Sequence, residues 1–192
     1  MAYLEPNVKN ILFFGDSLTA GYGLVHPATQ SFPALIKSEA IREGLDCSII
    51  NAGLSGDTTA GALLRLDTFL RKPVDIFVLG LGANDMIRGY DPSKTRQNLV
   101  ELITRAEGAN KALKTLLLGM ELPPWVPESL AGGFREVYRE VAAIKQAELV
   151  PFLLQDVVGH RELNLPDGLH PNAAGYRVIA ATVWKKLKPM LK

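Results

Sequence analysis

Five short apolar runs, each closing on small or polar residues, punctuate the chain. Ile11-Leu12-Phe13-Phe14 stops at Gly15-Asp16-Ser17, and a run at about 46–51 gives way to Ala52-Gly53-Leu54-Ser55-Gly56-Asp57-Thr58-Thr59. Asp75-Ile76-Phe77-Val78-Leu79-Gly80-Leu81 ends at Gly82-Ala83-Asn84-Asp85; the last two runs span 115–119 and 148–152. Apolar stretches of this length, bounded by turn formers, predict strands buried on both faces. Between them the apolar spacing changes to that of a helix face. One helix opens at Ser31-Phe32-Pro33, with Ala34, Leu35, Ile36, Ala40 and Ile41 inward, and stops at Gly44. The next carries Leu63, Leu64, Leu66, Phe69 and Leu70 and is broken by Pro73. A third runs from Pro92 to about 110 with Leu99, Leu102, Ile103 and Ala106 inward; two more cover about 134–146 and 173–187. Strand and helix alternate five times, which predicts a single doubly wound α/β domain over residues 1–192, a parallel sheet with helices on both faces.

Composition narrows the function classes. At 192 residues, 47% hydrophobic and 21% charged, the chain suffices for one soluble domain with a substantial core. Lys plus Arg number 21 against 20 Asp plus Glu, a net charge of +1 with no dense basic run, which argues against nucleic acid as a partner. No apolar run approaches the roughly 20 residues of a membrane-spanning helix. Cys47 is the only cysteine, so no intrachain disulfide can form; its place in a strand predicts a small buried hydrophobe. Met1-Ala2-Tyr3-Leu4-Glu5-Pro6 has neither the basic nor the apolar region of an export signal. The chain as written is therefore expected in the cytoplasm, and a trimmed form in the periplasm or secreted. Its oligomeric state is not legible.

The carboxyl ends of parallel strands share one edge, and open α/β sheets bind ligands there. Ser17, Gly53 and Asn84 each follow a different strand, so they can meet at one crevice although they lie 36 and 31 residues apart. The turn-rich tail Leu165-Pro166-Asp167-Gly168-Leu169-His170-Pro171-Asn172 can complete the group. Acyl transfer needs a nucleophilic hydroxyl, a base, an acid group to orient that base and donors for an oxyanion, and each residue type is present. Each also has an ordinary reading. Asp16, Ser17 or Thr19 can cap a helix, Asn84 and Asp167 are turn formers, and His170 is a loop histidine.

Taken together, Gly15-Asp16-Ser17-Leu18, Gly53, Gly82-x-Asn84-Asp85 and Asp167-x-x-His170-Pro171 resemble the four sequence blocks of the GDSL, or SGNH, hydrolase family, in the family's order and at its spacing. The resemblance extends from about residue 11 to 190 and is nearest to the small bacterial arylesterase and thioesterase I group. It implies a flavodoxin-like, five-stranded SGNH-hydrolase sheet and a cofactor-free serine esterase. Ser17 is the implied nucleophile, His170 the base and Asp167 its orienting acid. The implied oxyanion donors are the backbone N–H groups of Ser17 and Gly53 and the Asn84 amide. Gly at 53 is expected because a side chain would keep substrate from the backbone. Asp16 and Asp85 are read as loop organisers, and His26 and His160 as surface or loop residues.

The implied substrates are short to medium acyl or aryl esters, acyl thioesters or lysophospholipids. Leu122-Pro123-Pro124-Trp125-Val126-Pro127 follows the fourth strand and either offers apolar surface to an acyl group or forms a rigid loop with Trp125 over the core. Met86, with Ile87 and Tyr90, is expected to form another wall, and no dedicated lid is foreseen. A carbohydrate O-acetyl esterase of the same family is the alternative. A non-catalytic nucleotide- or flavin-binding module of flavodoxin type is disfavoured, since no loop has G-x-G-x-x-G or G-x-x-x-x-G-K-[ST] spacing. No metal is expected, because one His and one Asp on a turn do not make a closed ligand set.

Overall fold

The computed structural model describes residues 8–120 and 133–192. Its strands are β1 (Lys9–Gly15), β2 (Cys47–Gly53), β3 (Ile76–Gly80), β4 (Lys114–Leu118) and β5 (Glu148–Val150). All pairings are parallel and the order is β2-β1-β3-β4-β5, the flavodoxin-like arrangement. The helices among the described residues are α1 (Ser17–Ala20), α2 (Pro27–Gln30), α3 (Phe32–Arg42), α4 (Thr59–Phe69), α5 (Ala83–Ile87), α6 (Pro92–Ala109), α7 (Phe134–Lys145) and α8 (Ala173–Leu187). None of them is long and apolar enough to cross a membrane.

The period of two along a strand explains why the apolar runs are continuous. Ile11, Phe13, Ile76, Val78, Leu116 and Leu118 join a core with Phe32 and Ile36 of α3 and Tyr176, Ile179 and Val183 of α8. Leu12, Phe14, Phe77, Leu79 and Leu117 point the other way, into a core with Leu66 of α4, Leu99 and Leu102 of α6 and Val141 of α7. Each fully buried Leu, Ile or Phe of these layers contributes about 1.5–3 kcal/mol. Phe13 meets Phe32, and Phe14 meets Phe69, edge to face at 5.6 and 5.7 Å between ring centroids. The register sets Gly53, Gly15 and Gly80 side by side where the strands end, so three loops leave the sheet from one row.

Three expectations need correction. Ile41 and Leu64 are not inward: they are 67% and 90% exposed. The buried faces are Phe32, Ile36 and Ala40 on α3 and Ala62 and Leu66 on α4. Ile41 lies about 100° past Ala40, and Leu64 about 200° from Ala62, so neither can share those stripes. Cys47 is only partly buried, because β2 is an edge strand. What burial it has pushes its thiol pKa up. The short α1, α2 and α5 display no helical stripe, since four or five residues are too few for one; α1 alone is foreshadowed, by the capping residues at Asp16-Ser17-Leu18-Thr19.

Candidate active site

Where β1 ends, Asp16 leaves the sheet as the N-cap of α1, its Oδ1 accepting the Leu18 N–H at 3.0 Å. Capping and display of a serine hydroxyl are thus divided between neighbours. Asp16 organises the turn, and Ser17 faces the crevice with its Oγ 3.0 Å from His170 Nε2. His170 arrives on the loop before α8, and its Nδ1 lies 2.8 Å from Asp167 Oδ2. Asp167 Oδ1 accepts the Leu169 and His170 N–H groups at 2.9 and 3.0 Å. The loop is closed at its base by the Leu165 N–H to His170 carbonyl bond, 2.7 Å, and by the Asn164–Pro171 bridge. Ser17, His170 and Asp167, 153 and three residues apart, therefore form one hydrogen-bonded chain. The Tyr22 ring packs on the His170 imidazole with centroids 4.5 Å apart.

The two aspartates are tuned in opposite directions. The His170 N–H, then the His170 side chain and the Leu169 N–H, hold the Asp167 carboxyl down at about 2, so it stays ionised at every pH an esterase meets. Asp16 is buried, and loss of solvent raises its carboxyl to about 6, against the opposing pull of the Leu18 N–H and of His170. The native state then binds a proton between about 3.8 and 6 that the unfolded chain has released, so stability falls as pH rises through that window. Asp16→Asn keeps an acceptor for the Leu18 N–H and removes the buried charge. The expected result is a variant more stable than wild type by up to about 3 kcal/mol at pH 8 and equal to it at pH 4. Urea unfolding at both pH values checks this; parallel pH curves for the two proteins would refute it.

Gly53 lies beside α1, and its tolerance of nothing larger has a cause other than substrate approach. A Cβ there would stand 2.2 Å from the Ala20 nitrogen and 2.6 Å from the Thr19 carbonyl carbon, so the glycine lets β2 and α1 touch. Its N–H donates to Asn51 Oδ1 at 3.0 Å, and Asn51 Nδ2 donates to the Thr19 carbonyl at 2.9 Å. Asn84 stands in α5 with Nδ2 donating to the Asp57 carbonyl at 2.9 Å. Asp85 beside it is buried and acts as an anchor, accepting the Thr59 N–H at 3.0 Å and the Thr59 hydroxyl at 2.5 Å.

Ser17, Asn84 and His170 line a cleft of about 210 Å³ whose remaining walls are mostly apolar. Met86 and Ile87 supply one side, as anticipated, while Tyr90 is not part of the lining. Leu122, Pro123 and Trp125 lie outside the described residues. Met120, Phe152, Leu154, Val158 and Leu169 are further apolar residues of the walls. The sequence did not single these out: Met120 and Phe152 are brought together by a bridge beyond β4 and β5, and no local pattern announces such a pairing. His26 and His160 are exposed and are absent from the lining.

A hydrogen-bonded Ser–His–Asp chain at the carboxyl edge of a parallel sheet occurs in more than one lineage. Residues 13–178 match the model of the GDSL-like lipase/acylhydrolase family. The chain belongs to this family. It is an ester hydrolase of the GDSL type, with the family's α/β fold. It is 40% identical over 191 residues to the esterase TesA of Pseudomonas aeruginosa, covering 97% of this chain and 92% of that one. Identity to the thioesterase 1/protease 1/lysophospholipase L1 of Escherichia coli strain K12 is 32%, over 100% of this chain and 89% of that one. A crystal structure of TesA superposes with a TM-score of 0.88 at 37% identity, covering 95% of this chain and 99% of the other.

Proposed function

We propose that this GDSL hydrolase cleaves short to medium acyl esters, aryl esters and acyl thioesters through an acyl-enzyme on Ser17. The observation that carries the reading is the chain Asp167–His170–Ser17 at the mouth of an apolar cleft. His170 Nε2 takes the proton as Ser17 Oγ attacks the carbonyl carbon, and Asp167 holds Nδ1–H so that Nε2 is the free acceptor. The backbone N–H groups of Ser17 and Gly53 and the Asn84 amide meet the oxyanion, the Gly53 N–H then turning from Asn51 Oδ1 towards it. Collapse expels the alcohol or thiol, which takes the proton from His170. Water activated by the same imidazole then attacks the acyl carbonyl and frees Ser17. The apolar walls support an acyl or aryl group over an acetylated sugar, and the names of the two relatives support both oxygen and sulfur leaving groups.

A panel of p-nitrophenyl acetate, butyrate, octanoate and dodecanoate tests the reading. Each methylene buried in the cleft is worth about 0.8 kcal/mol, so kcat/KM should rise about fourfold per carbon and level off once the chain outgrows the cleft. A profile that is flat from acetate to dodecanoate would remove the acyl-pocket reading, and faster turnover of acetylated sugars would favour the carbohydrate esterase.

A further inference from the structure

Arg65 stands in α4 between Leu64 and Leu66, yet its guanidinium reaches back beneath the carboxyl edge of the sheet. Nη2 donates to the Gly15 carbonyl at 3.0 Å, Nη1 to the Ala52 carbonyl at 2.8 Å, and Nε to Asp57 Oδ2 at 2.7 Å. The cation is stacked on Phe14, its Cζ 3.9 Å from the ring centroid. Each acceptor belongs to a different part of the site. Gly15 leads into Asp16-Ser17, Ala52 precedes Gly53, and the Asp57 carbonyl receives the Asn84 amide at 2.9 Å.

We infer that Arg65 is a positioning residue that fixes, through one planar cation, the relative placement of the three oxyanion donors. The inference rests on the function proposed above. Three loops that leave separate strands have no covalent reason to keep their donors in register. A guanidinium presents its N–H groups in a rigid plane, so a shift of the β1 or β2 loop breaks a bond to a charged donor, and the loop after β3 is tied to the same assembly by the Asn84 amide on the Asp57 carbonyl. Its four-carbon counterpart in lysine carries a single ammonium and cannot span acceptors on β1, β2 and the loop before α4 together. A misplacement of about 1 Å remote from the reacting atoms costs on the order of 10²-fold in rate. Substrate binding in the apolar cleft does not depend on the clamp, so the defect falls on kcat.

The test measures kcat and KM for p-nitrophenyl butyrate in Arg65→Met, Arg65→Lys and Asp57→Asn, together with inhibition by an alkylboronic acid, which forms a tetrahedral adduct with a serine hydroxyl. Arg65→Met should lose about 10²-fold in kcat with KM within about twofold of wild type, and bind the boronate correspondingly less well. In Arg65→Ala, which leaves the space of the side chain open, guanidinium ion at millimolar concentration should restore about tenfold while leaving wild type unchanged. Arg65→Lys should remain defective. If Arg65→Met does not fold, Asp57→Asn, which spares both carbonyl contacts, should still lower kcat at constant KM. A kcat within threefold of wild type or a loss confined to KM in folded Arg65→Met, or no response to guanidinium in folded Arg65→Ala, overturns the inference. Ser17→Ala is assayed alongside. If it stays active, the reading of the whole site fails; if it is dead while Arg65→Met is normal, only the clamp fails.

Discussion

Ser17→Ala should lower kcat for p-nitrophenyl butyrate by about 10⁴-fold or more, the largest change expected of any single substitution in this protein. Among the described residues the Ser17 alcohol is the group placed to attack: its Oγ is 3.0 Å from His170 Nε2 and lines the cleft proposed to take the acyl carbonyl. Removing it leaves His170, Asp167 and the oxyanion donors intact, so residual turnover of about 10³-fold over water is expected from binding and oxyanion stabilisation alone. Stability should be almost unchanged. The Ser17 hydroxyl supports no backbone, since the cap of α1 is the Asp16 carboxylate. Steady-state kinetics with a melting curve separate the two effects. Mass spectrometry adds an independent reading: a fluorophosphonate should add once to wild type and not to Ser17→Ala. Labelling of the alanine variant, or wild-type rates from it, would place the nucleophile elsewhere.

The second largest effect belongs to Asp167→Asn, expected to lower kcat by about 10³-fold with little change in fold. Asp167 Oδ1 is held by two N–H groups, those of Leu169 and His170, so an asparagine is constrained to keep its oxygen there and turn Nδ2 towards His170 Nδ1. An amide N–H facing Nδ1 makes that nitrogen an acceptor and leaves the proton on Nε2, which then points at Ser17 and cannot take its hydrogen. Asp167→Ala removes the bias without imposing the wrong tautomer, so it should be more active than Asp167→Asn although it deletes more atoms. Because the wild-type carboxyl is held near 2, lowering the pH to 4 should not mimic either substitution. Its bonds favour the ionised form, so their contribution to stability is complete above the ordinary carboxyl range and is lost only as pH falls towards 2. Comparison of the two variants across pH 5–9 decides the point; an asparagine variant at least as active as the alanine one would mean that tautomer control is not what Asp167 provides.

Much of this protein is local enough to read along the chain. Ile11–Phe14 and Ile76–Leu79 are buried on both faces, and a strand so placed can be nothing but continuously apolar. The five-stranded parallel fold follows from such runs alternating with helical stripes, and the sheet edge then brings Ser17, Asn84 and His170, from three of the GDSL-like blocks, to one cleft. Asp167 and His170 are legible for the same reason: three residues on one tight turn meet whatever the remainder does.

What the sequence could not specify depends on contacts between segments distant in the chain. Ile41 and Leu64 are as apolar as their buried neighbours, and only the facing of α3 and α4 on the sheet shows them to be outside. Gly53 has no room for a side chain because Thr19 and Ala20 of α1, 34 and 33 residues earlier, pass against it. Two walls of the cleft, Met120 and Phe152, come from beyond the ends of β4 and β5 and pair only in the folded sheet. Arg65 is the clearest case. An arginine in an apolar helix reads as a surface charge, and its hold on Gly15, Ala52 and Asp57 exists only once β1, β2 and α4 are assembled. Periodicity records which way a residue faces within its own element; what stands opposite it is a property of packing, and that is decided by the tertiary structure alone.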